Sequence, residues 1–186
     1  MTLTRRSTLA DVAAVVGRAL RAAAVPAVLT GGACATIYSA GAYQSADLDF
    51  ILSGGTRKAL DEAMGTVGFS RDGDRYVHPD ARFFVEFPRG PLAIGDDFNI
   101  KPVALRLRRG TISALSATDA CRDRLAAFYH WSDRSSLDVA TEIAVRHRVG
   151  MLTIRRWSER EGFEDKFEEF RRTVGTRRRS GAALIR

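Results

Sequence analysis

The sequence has few groups that could form disulfides or a soft-metal site. It contains two cysteines, Cys34 and Cys121, and three scattered histidines. Cys34 lies between two alanines, Cys121 follows Ala120, and no CxxC motif is present. We interpret both as buried thiols in a reducing compartment, and a zinc site built from clustered Cys and His ligands is not expected.

Long apolar runs are also missing, since no stretch approaches the ~20 residues that a membrane span needs. The first apolar run is interrupted by Asp11, Arg18 and Arg21, and its apolar residues have helical spacing. It is typical of an amphipathic helix that begins at Thr8, with Asp11 completing a capping box. We therefore expect a cytoplasmic protein without a membrane partner.

The motifs of three large enzyme classes are absent. There is no GxxxxGK[ST], no GxGxxG after a strand and no GxSxG. P-loop NTPases, dinucleotide-binding Rossmann domains and α/β-hydrolases are therefore not indicated.

Lysine is scarce, but arginine is abundant. Only three lysines stand among 29 basic residues, and the formal net charge is +7 with a sequence pI near 10.1. A basic surface attracts polyanions such as RNA, whereas an Arg- and Ala-rich composition can also reflect genomic base bias. Charge alone leaves both readings open.

The order of the periodic segments predicts an α/β (α+β) protein with a mixed sheet. Residues 1–115 would form the core and residues 116–174 a helical part packed on it, and the basic residues 175–186 would form a flexible tail. The aromatics Phe128, Tyr129 and Trp131 are expected to fill the core between the two parts rather than to stack on a base. The predicted strands are 27–30, 47–52, 75–78, 82–87, 103–107 and 111–115, and short helices are predicted at 33–39 and 56–64.

Two carboxylates stand in the apolar run ADLDFIL. Side chains alternate between the two faces of a strand, so Asp47 and Asp49 project to one face and Leu48 and Phe50 to the other. Carboxylates this close repel each other, and a divalent cation between them removes the repulsion. Mg²⁺ suits such a site because it binds few protein carboxylates and completes its shell with water and phosphate.

A third carboxylate, Glu86, interrupts the apolar run FFVEF. Burying it is costly unless it is paired or metal-bound. If its strand lies beside 47–52, three carboxylates meet on one sheet face, as in two-metal phosphoryl-transfer sites. An ion pair of Glu86 with Arg82 or Arg89 is the alternative interpretation.

A Gly-Gly pair, Gly31-Gly32, lies between a predicted strand and a predicted helix. Without Cβ atoms, this backbone can approach a phosphate closely. The helix that follows offers free N–H groups and the positive end of its dipole to an anion. The glycines and the carboxylates together predict a site for a triphosphate and its metal.

This pattern resembles the nucleotidyltransferase superfold of the DNA-polymerase-beta type. That superfamily carries Gly-Gly or Gly-Ser, then Asp-x-Asp on the next strand and a third acidic residue on a later strand. Gly31, Gly32, Asp47, Asp49 and Glu86 match these positions in type. The resemblance implies transfer of a nucleoside monophosphate from an NTP to an acceptor hydroxyl, with two Mg²⁺ ions, or Mn²⁺ in their place, held by the three carboxylates.

The stretch TDACRDRLAAFYHWSDRSSLDVA resembles the helical region of the AbiEii-like nucleotidyltransferases, and the likeness covers about residues 28–148. By this resemblance Arg124 and Asp138 are nucleotide-binding residues. The chain departs from the group in two places, since Arg124 stands where a lysine is usual and Tyr43 where many members have an arginine. A structural ion pair between Arg124 and Asp138 is the alternative.

The acceptor is the least determined part of the hypothesis. The AbiEii-like group contains toxins of toxin–antitoxin and phage-defence systems, which favours RNA, for example the tRNA 3′ end, as acceptor and an antitoxin or operon neighbour as protein partner. A small-molecule nucleotidyltransferase of the aminoglycoside type is an alternative. A catalytically idle member that binds nucleotide or RNA is another.

Overall fold

The computed structural model describes residues 2–183, which form one mixed sheet and a set of helices. The sheet has seven strands in the order β3-β4-β5-β2-β1-β7-β6. The strands are β1 (Ala27–Leu29), β2 (Asp47–Leu52), β3 (Ser70–Asp72), β4 (Arg75–Val77), β5 (Phe84–Glu86), β6 (Val103–Leu107) and β7 (Gly110–Ala114). The helices are α1 (Leu9–Ala22), α2 (Gly31–Tyr38), α3 (Arg57–Gly65), α4 (Ala117–Trp131), α5 (Arg134–Arg146), α6 (Met151–Arg160) and α7 (Glu164–Ala183).

Two of the strand pairs are parallel, β1 with β7 and β2 with β5, and the other pairs are antiparallel. The predicted mixed sheet is therefore confirmed. One cluster of buried side chains runs through the molecule and includes Val12 of α1, Leu48 of β2, Leu125 of α4 and Phe170 of α7. The helices that follow the sheet thus share its core.

The first helix begins as the sequence predicts. The Thr8 side chain accepts a hydrogen bond from the Asp11 amide, and the Asp11 carboxylate accepts one from the Thr8 amide. Asp11 also accepts a hydrogen bond from Arg108 and forms an ion pair with Arg109, each at 2.9 Å. This carboxylate therefore fixes α1 to the turn between β6 and β7.

The predicted strands 75–78 and 82–87 form one hairpin and 103–107 and 111–115 another, and a further strand, β3, was not predicted. β4 pairs with β5 and β6 with β7, both antiparallel. β3 pairs with β4 through a turn at Gly73, whose φ of +62° favours glycine. The three residues of β3 are exposed and mostly charged, so hydrophobic alternation gives no sign of this strand.

The predicted loose tail from residue 175 differs from the structure, in which α7 continues to Ala183. Its last turns are attached to α5: the Arg178 guanidinium donates to the Ala144 carbonyl at 2.6 Å, and Arg177 lies 3.7 Å from Glu142. These contacts stabilise the last turns of the helix, because residues 175–183 contain no large apolar side chain that could be buried. The predicted tail's residues 184–186 lie outside the described residues.

Across residues 2–183, no helix has the length and apolar character that crossing a membrane requires.

Candidate metal and nucleotide site

The two aspartates of β2 lie on one face of the sheet. Leu48 and Phe50 are buried, with exposed fractions of 0% and 1%, whereas Asp47 and Asp49 are half-buried on the other face. The alternation predicted from ADLDFIL is thus confirmed. The apolar side chains hold the strand in the core, and the carboxylates face a more open surface.

Glu86 joins these aspartates because β5 lies directly beside β2. The two strands are parallel, and Glu86 is the register partner of Asp49. A carboxylate oxygen from each of Asp47, Asp49 and Glu86 lies within 4.8 Å of the others. These three oxygens could hold a metal ion.

The electrostatics of this trio fit a cation. Within residues 2–183, none of the three carboxylates has an arginine, lysine or histidine nitrogen within 4.0 Å, so the alternative of a Glu86 pair with Arg82 or Arg89 is not realised. Burial, followed by the negative charges of Asp47 and Glu86, raises the pKa of Asp49 to about 6. An all-oxygen set of unneutralised carboxylates is what Mg²⁺ or Mn²⁺ prefers.

A hydroxyl orients the outer aspartate. Ser45 Oγ donates a 2.7 Å hydrogen bond to Asp47 Oδ1. The Ser45 amide in turn donates to Thr36 of α2 at 2.9 Å. This connection fixes Asp47 relative to the helix that follows the Gly-Gly pair.

Gly31 lies against the trio. Its φ is +59°, and a Cβ there would be 2.8 Å from Asp49 Oδ2. At Gly32 a Cβ would be 2.5 Å from Ser45 Oγ. Helix α2 begins at Gly31 and not at residue 33 as predicted. The Thr30 amide still donates to the Asp49 carbonyl of β2, and the first helical residue follows directly after Thr30. The free amides at the start of α2 therefore stand beside the carboxylates.

Arg124 lies close to the trio, on α4. Its Nε and Nη2 donate to Asp123 Oδ2 at 3.1 and 2.7 Å, and its charge opposes the rise in the pKa of Asp49. Asp123 was not predicted from the sequence, although it shares a cleft of about 290 Å³ with Gly31 and Asp49. Because Asp123 stands between Arg122 and Arg124, its sequence surroundings do not distinguish it from an exposed surface carboxylate.

Asp138 occupies a neighbouring cleft, apart from the trio. Its side chain is 69% exposed and lies 3.8 Å from Arg177. In the described part of the chain Arg124 pairs with Asp123, so the alternative of an Arg124–Asp138 ion pair is not realised. The cleft of about 270 Å³ at Asp138 is also lined by Tyr43, whose hydroxyl is 3.4 Å from the position of a Gly32 Cβ.

The loop between β5 and β6 covers one side of the trio's cleft. Pro88, Pro91, Leu92 and Ala93 line it together with Asp49. Farther along the loop, Asp97 binds the guanidinium of Arg122, which is 4% exposed and also pairs with Asp119 at 2.9 Å. A buried ion pair thus attaches the loop to α4.

An apolar cleft of about 490 Å³ lies on the opposite face of the sheet. Leu20, Pro26 and Phe50 line it, and none of the three carboxylates does. Because Phe50 and Asp49 project to opposite faces, this cleft does not belong to the carboxylate site.

Comparison with known proteins supports the architecture. The chain is similar to the crystal structure of an antigenic nucleotidyltransferase-like protein from Paracoccidioides brasiliensis, with a TM-score of 0.54 and 17% sequence identity over 76% of each chain. The chain has a nucleotidyltransferase-like fold. No protein-family model and no curated protein matches the sequence.

Proposed function

We propose that the protein is a metal-dependent nucleotidyltransferase that moves a nucleoside monophosphate from an NTP to an acceptor hydroxyl. The observation that carries the proposal is the meeting of Asp47, Asp49 and Glu86 beside Gly31. These three residues would hold two Mg²⁺ ions, or Mn²⁺. Bound there, the ions would neutralise the phosphate charge and make the hydroxyl a better nucleophile.

The chain's own groups would position the substrate. The amides of Gly31 and Gly32 and the dipole of α2 would bind the phosphates. The Arg124 guanidinium on α4 would attract the same phosphates. Asp138, which lines a cleft together with Tyr43, would contact the nucleoside. Glu86 would receive the proton of the acceptor hydroxyl. The hydroxyl oxygen of the acceptor would form a bond to the α-phosphorus of the NTP, and pyrophosphate would leave.

RNA is the acceptor we favour, with the tRNA 3′ end as the first candidate, in the manner of an AbiEii-like toxin paired with an antitoxin or another operon neighbour. The net charge of +7 supports a polyanionic acceptor. An aminoglycoside-type acceptor and a binding-only protein are the outcomes that the test must separate from this one.

The test is transfer of label from each α-³²P-labelled NTP, with Mg²⁺ or Mn²⁺, to total tRNA and to an aminoglycoside panel. We expect labelled RNA, and a loss of roughly 10³-fold in Asp49→Asn and Glu86→Gln because each removes a metal ligand. Asp96→Asn, an exposed aspartate outside the trio, is the matched control and keeps wild-type activity.

Full transfer by Asp49→Asn would contradict the metal assignment. Label on an aminoglycoside and none on RNA would show that the acceptor is a small molecule. Absence of transfer to any acceptor, together with metal-dependent NTP binding, would leave a binding protein.

A further inference from the structure

The C-terminal half of α7 carries a concentrated positive charge. Residues 170–183 contain five arginines and no acidic residue, whereas the first six residues of the helix contain four acids and one lysine. The dipole of a helix favours positive charge only in its last turn. The last turn of α7 contains no basic residue, so the dipole does not account for this charge.

Within residues 2–183, three of these arginines have no carboxylate partner, and one of the three, Arg178, donates to the Ala144 carbonyl instead. Arg171 pairs with Glu168, and Arg177 lies 3.8 Å from Asp138 and 3.7 Å from Glu142. Within residues 2–183, no carboxylate oxygen lies within 4.0 Å of Arg172 or Arg179, and both residues are exposed. Arg172 and Arg179 are seven positions apart, which is about two turns, so they lie on the same side of α7 and about 10 Å apart along its axis.

A shallow groove follows this side of the helix. We call it the α7 polar face, and it is lined by Arg172, Thr173, Thr176, Arg177 and Ser180 with Glu169 at its end. Guanidinium groups are donors that bind phosphate oxygens. The hydroxyls of Thr173 and Ser180 donate to carbonyls of the helix, so the arginines are the donors that this face offers. Among residues 2–183, no large apolar side chain lines the groove, so an apolar protein segment would gain little there.

The α7 polar face leads to the carboxylate site. Arg177 lines both this groove and the cleft that contains Tyr43 and Asp138. The Tyr43 hydroxyl lies 3.4 Å from the position that a Gly32 Cβ would occupy. Ser45 Oγ, which donates to Asp47, lies 2.5 Å from the same position. A polar surface therefore continues from α7 to the metal-binding carboxylates.

We propose that the α7 polar face, with Arg179, binds the phosphodiester backbone of a single-stranded RNA acceptor and directs its 3′ hydroxyl towards Asp47. This assignment rests on the proposed nucleotidyltransferase function. It makes α7 the acceptor-binding element, with Arg172 and Arg179 as phosphate contacts and Arg177 at the entrance to the active site.

The first experiment measures binding of a fluorescein-labelled 20-nucleotide single-stranded RNA across a series of salt concentrations. In the double variant Arg172→Ser, Arg179→Ser we expect roughly 10-fold weaker binding at 100 mM salt. The salt slope should fall by about 1.4, since each phosphate contact to a single strand contributes about 0.7. A single-stranded DNA of the same sequence should show the same loss, because phosphates are contacted.

The matched control removes two other unpaired, exposed arginines, in Arg18→Ser, Arg106→Ser. These lie on α1 and on β6, the edge strand at the end of the sheet away from β5. Less than 2-fold weakening supports the α7 assignment. Equal weakening in both double variants overturns it, because binding would then follow overall charge. Competition by poly-glutamate as strong as that by RNA also overturns it, in favour of an acidic protein partner.

The second experiment separates this inference from the proposed function. In the transfer assay, the α7 double variant should have a raised KM for RNA with an unchanged KM for NTP. Transfer with an unchanged RNA KM would overturn the α7 assignment and leave the function intact. If the wild-type protein transfers nothing but the binding loss is seen, the proposed function and the acceptor role of α7 fail, and only RNA binding by the α7 polar face stands.

Discussion

Asp49 and Glu86 are register partners across the parallel strands β2 and β5. Their carboxylates therefore lie side by side on one face, with Asp47 two residues along β2. Like charges held this close oppose ionisation, and together with burial they raise the pKa of Asp49 to about 6. The metal-free fold thus carries a cost at neutral pH that a bound cation would relieve.

The first prediction follows from the sign of this shift. Between the ordinary pKa of 3.8 and about 6, folded Asp49 keeps a proton that the unfolded chain releases, so its contribution to stability falls as pH rises. Without metal, Asp49→Asn should therefore raise the free energy of unfolding at pH 7.5 by roughly 1–3 kcal/mol and have little effect at pH 3.5. Urea titrations at both values check it, and a variant destabilised at pH 7.5 would contradict it.

The second prediction concerns the ion itself. Mg²⁺ or Mn²⁺ should raise the Tm of the wild-type protein at pH 7.5, since a ligand of the folded state stabilises it. The increase should shrink as pH falls through about 6, where protons compete for Asp49. Thermal melts of Glu86→Gln should show little increase at either pH. Equal increases in the variant and the wild type would place the ion elsewhere.

The third prediction uses the glycines. Gly31→Ala forces a side chain into a positive φ and against Asp49 Oδ2, so it should cost stability and abolish the metal-induced rise in Tm. Gly41→Ala is the control, because Gly41 also has a positive φ, +83°, but no atom within 4 Å of its Cβ position. Strain alone costs about 1–2 kcal/mol in both variants. Retained metal stabilisation in Gly31→Ala would contradict the close approach.

The sequence predicted the features that depend on local patterns. Alternation in ADLDFIL gave the bounds of β2, and Thr8 with Asp11 gave the start of α1. That β5 lies beside β2 was only a hypothesis, because the helix α3 and the strands β3 and β4 lie between them in the chain. It is realised through long-range pairing that no local pattern encodes.

Features that depend on contacts between distant segments were missed. Trp131 was expected in the core but is 76% exposed, because α4 ends there at Ser132 with a φ of +53°, whereas Phe128 is 2% exposed. The last turns of α7 are fixed by α5, and Asp123 gains its position only from the packing of α4 near α2. Composition alone does not report such packing.

The last prediction tests the attachment of the loop that covers the carboxylate cleft. Burial alone would raise the pKa of Asp97, but the Asn99 amide, Arg122 and Arg160 outweigh it and hold the pKa below 3.8. Its carboxylate therefore stabilises the fold above that pH, and the contribution is lost as pH falls through the lowered pKa.

Asp97→Asn should cost about 2 kcal/mol at pH 7, because Arg122 is buried and, in the described part of the chain, Asp119 is the one carboxylate partner left to it. Asp96→Asn is the matched control, since the exposed Asp96 contributes only its amide, to Glu161. Asp97→Asn should also raise the KM for NTP, because Pro91 and Leu92 of the same loop line the cleft at Asp49. Equal stability of the two variants in urea titrations would show that the loop is held by its backbone contacts instead of this ion pair.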